Sequence, residues 1–410
     1  MAIPLAESLH IGFTDILMRK VRSAVTVIGI VLGVMCIMVV LAIVNGMNNS
    51  TMEWMKQRGG LSKIEVHQNW NYDFGKGGEA SFTIREIRYL DGQIPEAKAV
   101  NPQSPDYEAV LRFSDTRYHA QVIGVLPDLV LAEDWYPGQG RFIKQLDVDE
   151  TANVIVLGSS VASELFGNRD PLGKKVVYGS QQMTVVGIMS RKYMKAQGGG
   201  GFGDNAMEYM NRRSFIPLST MMSKIKPGSK ISQVDIIASN PEAAVTLRSK
   251  VENIVLNLKG GKRIFSVVSA QEQMQQMKQS SMIFSAIFVL IGIISLLVGG
   301  IVIMNIMLAS IKERTREIGV RLAVGARGRD IFLQFLVQTV LITALGGILG
   351  ILLGYAILGQ VGKYLGLSVI ASPQMIMAAL AVSVGVGLIF GIFPAVRASG
   401  LDPVIALREE

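Results

Sequence analysis

GIVIMNIMLASIKERTREIGVRLAVGARGRD, residues 300–330, changes character twice. It begins as the end of an apolar run, becomes densely charged from Lys312 to Glu317, and passes a Gly325-Ala326 turn before a second apolar run starts at Ile331. Two charge-free runs separated by a short basic segment are the pattern of two membrane spans joined on the side that retains Lys and Arg. Read as a helix, 311–322 places Ile311, Ile318 and Leu322 on one side and crowds Lys312, Glu313, Arg314, Arg316 and Glu317 onto the rest. The loop is therefore expected to be a short, highly charged helix with one apolar face.

Around it lie four runs without Asp, Glu, Lys or Arg: 24–44, 282–309, 331–358 and 374–396. About 20 residues at 1.5 Å each cross a hydrocarbon core of about 30 Å, so each run is long enough to span. The first is too long for a signal-peptide core and lacks a small-x-small site, so an uncleaved span is expected. Lys and Arg are spread unevenly: three in 1–22, six in 310–330, two in 397–410 and one, Lys363, in 359–371. The positive-inside bias then places both termini and 310–330 in the cytoplasm and 46–280 outside.

The predicted fold class is an α-helical membrane protein with four transmembrane helices and a large α+β extracytoplasmic domain between the first and second. A cytoplasmic amphipathic N-terminal helix is expected in 1–23, where Leu5, Leu9, Phe13 and Ile16 recur at helical spacing. The spans are expected at 24–45, 281–309, 331–358 and 373–396. The outer domain occupies 46–280, with an inserted subdomain at about 105–225. A cytoplasmic helix at 310–330, a short outer loop at 359–372 and a cytoplasmic tail at 397–410 complete the expected divisions.

Two spans are expected to outrun the membrane. Ser269-Ala270-Gln271-Glu272 has the form of a capping box, and no proline follows until well beyond residue 309. A helix of about 40 residues measures about 60 Å, twice the hydrocarbon thickness. The first span likewise continues to about Gln57, where Gly59-Gly60 stops it. These extensions are expected to be stalks for the outer domain. Met52 with Met55, and Met274 with Met277, sit on them at i,i+3 spacing. Such pairs serve stalk packing or, because thioethers adapt to varied shapes, an apolar lining for a hydrophobic substrate. In the outer domain, 153–157, 176–178, 183–188, 234–238 and 264–268 read as strands. Thr83-Ile84-Arg85-Glu86 and Asn240-Pro241-Glu242 each open a capped helix.

Half of the residues are hydrophobic, 18% are charged and mean hydropathy is +0.38, which suits a membrane protein. The net charge of +8 gathers beside the apolar runs, where topology accounts for it, so nucleic acid is not an expected partner. Cys36 is the single cysteine and lies inside an apolar run, which excludes a disulfide framework. His10, His67 and His119 have no accompanying ligand pattern, and no metal is expected. There is no GxxxxGKS or GxxxxGKT phosphate cradle and no GxSxG turn, so the chain is expected neither to be catalytic by itself nor to bind a cofactor. The spans hold no ionisable group, so nothing marks a wide hydrophilic path through them. Glycines recur in them at four-residue spacing: Gly29 and Gly33; Gly346, Gly350 and Gly354; Gly387 and Gly391. Such glycines allow close helix contact.

The 300–330 stretch resembles the MacB/FtsX-like permeases, membrane subunits of ABC transporters of the mechanotransmission type. The matching residues are Gly299-Gly300, Met304-Asn305-Ile306-Met307-Leu308, Glu313-Arg314-Thr315-Arg316-Glu317-Ile318-Gly319, Arg321, Ala323, Gly325-Ala326-Arg327 and Asp330-Ile331. Ile303 and Lys312 depart from the family pattern. Further matches are Arg22-Ser23 with 29–33, Val156-Leu157-Gly158, Leu165-Phe166-Gly167, Asp170-Pro171-Leu172-Gly173-Lys174, Val185-Val186-Gly187 and much of 390–407. Gly400 stands there where a basic residue is common. The resemblance covers almost the whole chain. It implies two permease subunits, as homodimer or heterodimer, and two copies of a separate ABC-type ATPase that binds ATP and Mg. The 310–330 helix would be the coupling helix, with Lys312, Glu313, Arg314, Thr315, Arg316, Glu317, Gly319, Arg321, Gly325 and Arg327 as coupling residues. The setting implied is the inner (plasma) membrane, with membrane lipid around the spans. Three functions are compatible with it. They are expulsion of amphiphiles such as peptides or antibiotics, with a periplasmic adaptor in some members, release of lipid-anchored proteins, and regulation of a cell-wall hydrolase.

Overall fold

The computed structural model describes residues 20–73, 79–195, 204–365 and 371–408. It divides into two units, Asn49–Gln279 and the remainder. The amphipathic stretch expected near the N-terminus, 5–17, lies outside the described residues, as does 366–370 of the expected outer loop. Helix α1 (Lys20–Gln57) leads into a region whose described residues form ten strands and the helices α2 (Ile84–Gln93), α3 (Leu129–Ala132), α4 (Ser159–Phe166) and α5 (Pro241–Leu258), besides other helical turns of three to five residues. Then follow α6 (Ala270–Glu313), α7 (Thr315–Ala323), α8 (Gly328–Leu365), α9 (Pro373–Ser399) and α10 (Pro403–Arg408).

Among these, α1, α6, α8 and α9 are long and apolar enough to cross a membrane. Helix α6 has 44 residues. At 1.5 Å each that is about 66 Å, well beyond what a hydrocarbon core requires. The membrane unit has one main core. Ile30 and Val34 come from α1, Leu296, Ile303 and Met307 from α6, Phe335 from α8, and Val386 and Ala395 from α9. In lipid, association rests on packing and interhelical hydrogen bonds, so small residues matter. A Cβ on Gly29 would lie 3.2 Å from the Gly299 Cα, and one on Gly350 would lie 2.9 Å from the Val31 carbonyl oxygen. Gly33 meets Leu296, Gly346 and Gly354 meet Ile30 and Met38, and Gly387 and Gly391 meet Thr343 and Thr339. All seven glycines of the expected packing set thus face a neighbouring helix of the same chain. The Ser383 hydroxyl adds a bond between α9 and α8, donating to the Thr343 carbonyl at 2.7 Å.

The other unit is built on a mixed sheet. Its strands are β1 (Lys63–Gln68), β2 (Ala99–Phe113), β3 (Thr116–Val125), β4 (Pro137–Gly140), β5 (Val154–Leu157), β6 (Lys175–Tyr178), β7 (Gln181–Met189), β8 (Arg213–Pro217), β9 (Gln233–Ile237) and β10 (Phe265–Ser269). The spatial order is β10-β1-β9-β2-β3-β8-β5-β7-β4, with β6 against β2 and β7. Strand β2 runs through both halves: 99–103 pairs with β9, and from Ser104 onward it pairs with β3, with a bulge between Asp106 and Ala109. One core gathers Ile64, Val66, Phe82, Leu90, Val234, Ile236, Leu247 and Val251 around β1, β9, α2 and α5. A second gathers Leu111, Val122, Leu157, Leu165, Phe166, Val185 and Ile216 around the central strands and α4.

Local capping follows the sequence where both partners are local. Thr83 and Glu86 exchange hydrogen bonds at the start of α2. Asn240 Oδ1 accepts from the Ala243 N–H at 2.7 Å, with Pro241 opening α5. The capping box expected at Ser269 and Glu272 does not form. Ser269 is fixed in β10 opposite Ile64, its hydroxyl is buried without a hydrogen-bond partner, and Glu272 turns to Arg248 Nε at 3.3 Å.

Candidate functional site: the charged loop and the anchorage of the first helix

Helix α6 ends at Glu313, Arg314 breaks the helical path with φ −106° and ψ 13°, and α7 begins at Thr315. Thr315 is buried, and its hydroxyl donates to the Ile311 carbonyl at 3.1 Å, so it fixes the bend. Ile318 belongs to the membrane core and sets the rotation of α7. Gly319 faces α10, where an added Cβ would lie 2.7 Å from the Ala406 Cβ. Arg321 donates to Gln334 of α8 at 3.0 Å and to Glu317 at 2.6 Å. Gly325, at φ +106°, makes the turn into α8 in a conformation that L side chains rarely adopt.

Thr315, Gly319, Arg321 and Gly325 therefore shape this loop from within. Lys312, Glu313, Arg316, Glu317 and Arg327 are exposed, and Arg314 is half-buried. Val320 of α7, Val324 just past its end, and Val404, Ile405 and Leu407 of α10 are exposed. Apolar residues set among charges compose a surface suited to docking a protein. The contribution of α10 was missed in the sequence. The signal was there: the apolar run Pro403-Val404-Ile405-Ala406-Leu407 follows Asp402, whose carboxylate accepts from the Val404 N–H at 2.8 Å.

Within the other unit, the end of α1 is secured in detail. Gly59 and Gly60, at φ +98° and +79°, close the helix, and the Gly60 N–H donates to the Met55 carbonyl at 2.9 Å. Met55 and Met274 are 6% and 1% exposed, whereas Met52 and Met277 are half-buried. The substrate-lining role suggested by spacing does not fit Met55 or Met274, whose side chains are used in packing.

Lys192 Nζ donates to the carbonyl of Gln57, the last residue of α1, and to the Glu133 carbonyl at 2.9 Å. A cation there satisfies carbonyls that a helix end leaves orphaned and opposes the negative end of its dipole. Asn211 holds Lys192 in place, accepting from its N–H and donating to its carbonyl, both at 2.9 Å. The Glu133 carboxylate is buried and meets Arg213 at 3.2 Å and Lys63 at 3.6 Å. Lys63, 2% exposed, lies 2.8 Å from the fully buried Asp235 and 3.2 Å from Glu65, which pairs with Arg58 at 2.8 Å. Burial works against the Lys63 charge, but Asp235, then Glu133 and Glu65, outweigh it and hold its pKa above the ordinary lysine value. This ionic knot joins the end of α1 to β1, β8, β9 and the end of α3.

Burial pushes the Lys192 ammonium down to about 8, against the pull of Glu133 and Asp134. Between that value and the unfolded one near 10.5, the unfolded chain binds the extra proton, so folding stability rises with pH across this window. Thermal melts of the full chain from about pH 7.5 to about pH 10 should show that rise, and Lys192→Met should flatten it. An identical pH profile in the variant would mean that another group titrates.

Residues 23–254, more than half of the chain, match the family model of the MacB-like periplasmic core domain. The chain belongs to the MacB/FtsX-like permease family. Residues 289–403 match the FtsX-like permease C-terminal model, which takes in α7 and α8. The chain is 32% identical over 416 residues to the macrolide export ATP-binding/permease protein MacB of Bdellovibrio bacteriovorus, covering 98% of this chain and 62% of that protein. It is 30% identical over 411 residues to the pyoverdine export ATP-binding/permease protein PvdT of Pseudomonas aeruginosa, covering 99% and 59%. It thus spans about three-fifths of the length of these relatives. The crystal structure of the periplasmic region of MacB from Actinobacillus actinomycetemcomitans aligns with a TM-score of 0.46 at 20% identity, covering 56% of this chain and 97% of that one. As a MacB/FtsX-like permease, the protein is a multi-pass membrane protein with its large domain extracytoplasmic and inserted between the first and second spans.

Proposed function

We propose that this chain is the permease of an ATP-driven ABC exporter, in which a separate ATPase subunit seats on α7 and α10. The observation that carries this reading is the packed pair α7 and α10, where Arg316, Glu317, exposed valines and Ile405 share a surface with Lys312 and Glu313 at the end of α6 and Arg327 before α8. The loop holds the densest run of Lys and Arg among the short segments, which favours the cytoplasmic side for it and for both termini, where ATP is available. Helices α1 and α6 continue without interruption past the length a bilayer needs. A displacement at one end of such a rod reaches the other, so motion of the ATPase is relayed to the extracytoplasmic domain. The substrate is engaged there and does not pass between the charge-free spans.

In this reading two permease copies, identical or paired with a relative, meet two ATPase subunits, which hold the ATP and Mg. The relatives named for macrolide and pyoverdine export favour small amphiphiles as cargo over lipid-anchored proteins or control of a hydrolase. A periplasmic adaptor would complete the path in a two-membrane envelope. The test is purification of the full chain from its native membrane. An ATP-hydrolysing companion should copurify. An assembly devoid of one, or a residue-316 cysteine labelled only from outside by an impermeant reagent, defeats the proposal.

A further inference from the structure

Helix α6 turns one face to its own chain and leaves the opposite face open. Gly292 and Gly299 close on Ile37 and Gly29 of α1, while Leu296, Ile303 and Met307 lie in the membrane core. About half a turn away around the helix run Ile287, Ile291, Ile294, Val298, Ile301 and Asn305, all of them exposed. Their spacing alternates between four and three residues, which is the a and d pattern of a left-handed helix–helix seam. Phe284 extends the stripe at one end and the half-buried Leu308 at the other, so the period is sustained over about three and a half heptads. From Ile287 to Ile301 its members are between 45% and 57% exposed.

Asn305 occupies an a position and decides what covers the stripe. Its side chain is exposed, and among the described residues its carboxamide has no hydrogen-bond partner. It lies inside the charge-free run 282–309, and Lys312, the first charge beyond that run, is seven residues on, about 10 Å along the axis. An amide turned to lipid tails there loses its water partners and gains none. The exposed surfaces of α8 and α9 make no such demand: within 331–358 and 375–396 no Asn, Gln, Ser or Thr is exposed, and lipid suffices to cover residues such as Leu352 and Ile389. A carboxamide both donates and accepts, so the same residue on a second copy satisfies it across a two-fold axis. The area agrees. Covering the stripe from Phe284 to Asn305 on two copies removes roughly 1,200 Å² of accessible surface, against about 1,000 Å² that a specific interface needs. The glycines spaced for close helix contact are already occupied by neighbours of the same chain, which leaves this face of α6 for the contact between copies.

We propose that α6 packs in parallel against α6 of a second copy of this chain along this stripe, with Asn305 hydrogen-bonded to the partner's Asn305. A two-fold axis along the bilayer normal keeps both copies in one orientation and sets each a or d residue against its own counterpart. The amide pair fixes the register, since a seam shifted by one turn would leave both carboxamides among isoleucines. This seam rests on the reading that two permease copies pair, and it adds that the copies are identical and meet through α6.

The test uses the full chain in its native membrane, with Cys36→Ala removing the one native thiol. Val298→Cys should give a disulfide-linked dimer on oxidation with copper phenanthroline, because facing seam residues come within the Cα separation of about 4.4–6.8 Å that a disulfide spans. Leu352→Cys and Ile389→Cys, which are as exposed but lie on α8 and α9, should not. Stepwise photobleaching of the singly labelled chain counts the copies in each assembly. Two copies with a cross-link at position 298 alone support the seam. Two copies without that cross-link, or with equal yields at all three positions, overturn the seam and leave the pairing of copies standing. One copy per assembly overturns both. Asn305→Leu supplies an independent measure. It should weaken association of labelled copies, read by energy transfer on dilution into lipid vesicles, about threefold to twentyfold, while Asn305→Gln retains most of it. Asn305 is exposed, so neither variant should lower the melting midpoint. Unchanged association in Asn305→Leu means that the amide faces lipid, and overturns the seam.

Discussion

Asp235→Ala should destabilise the extracytoplasmic domain by about 3–5 kcal/mol, because it strands a buried ammonium. Lys63 lies 2.8 Å from Asp235 in a site where the lysine is 2% exposed and the aspartate not at all. Removing the carboxylate also deprives Gln103 Nε2 of the acceptor it meets at 2.7 Å. Glu65 and Glu133 stay at 3.2 and 3.6 Å from the ammonium and soften the loss, which favours the lower end of that range. For a domain of this size, such a loss lowers the melting midpoint by about 6–20 °C. The control is Lys63→Met with Asp235→Leu. Removing both charges together should recover much of the loss, since a buried pair often contributes little over apolar residues of similar volume. A single variant that melts within about 2 °C of the unaltered protein would show that Asp235 is not what holds the Lys63 charge.

That pair illustrates what the sequence withheld. Lys63 and Asp235 meet because β1 and β9 are adjacent strands, and no local pattern announces a ladder between residues so far apart. The one local hint is alternation: Ile64 and Val66 point to the core, so Lys63 and Glu65 share the opposite face of β1. The membrane helices were legible for the converse reason. Lipid demands apolar side chains all round and tolerates no charge, which writes each span into consecutive residues. Glycines at four-residue spacing were legible as contact points, but their partners, such as Leu296 for Gly33 and Thr343 for Gly387, depend on how helices assemble. The caps divide the same way. Thr83 and Asn240 bond to residues three positions on, and the sequence sufficed. Ser269 is governed by its pairing with Ile64, and there the local rule failed. The charged loop was half legible: its charges were evident, while the packing of Gly319 against Ala406 joins segments that the sequence separates by two spans.

Reversing charge at Arg314 and Arg316 should uncouple the ATPase while leaving the permease folded. Arg316 is exposed and Arg314 half-buried, so the substitutions fall largely outside the packed side of α7, which Thr315, Ile318 and Gly319 define. Surface substitutions away from buried networks usually shift stability by less than about 0.5 kcal/mol. At a docked interface the same charges matter more, because losing one partner of a buried, hydrogen-bonded charge pair costs about 2–5 kcal/mol. Arg314→Glu with Arg316→Glu should then weaken ATPase association by at least about thirtyfold and abolish stimulation of ATP hydrolysis and transport together. Arg316→Glu alone is the cleaner half, since Arg314 also sits at the break between α6 and α7 and its loss could disturb that bend. Melting of the purified permease separates the two effects. Lost stimulation with an unchanged midpoint assigns the charges to docking, whereas lost stimulation with a lowered midpoint assigns them to the bend. If stimulation and transport both survive the double reversal, the ATPase does not seat on α7, and the relay through α1 and α6 loses its point of entry.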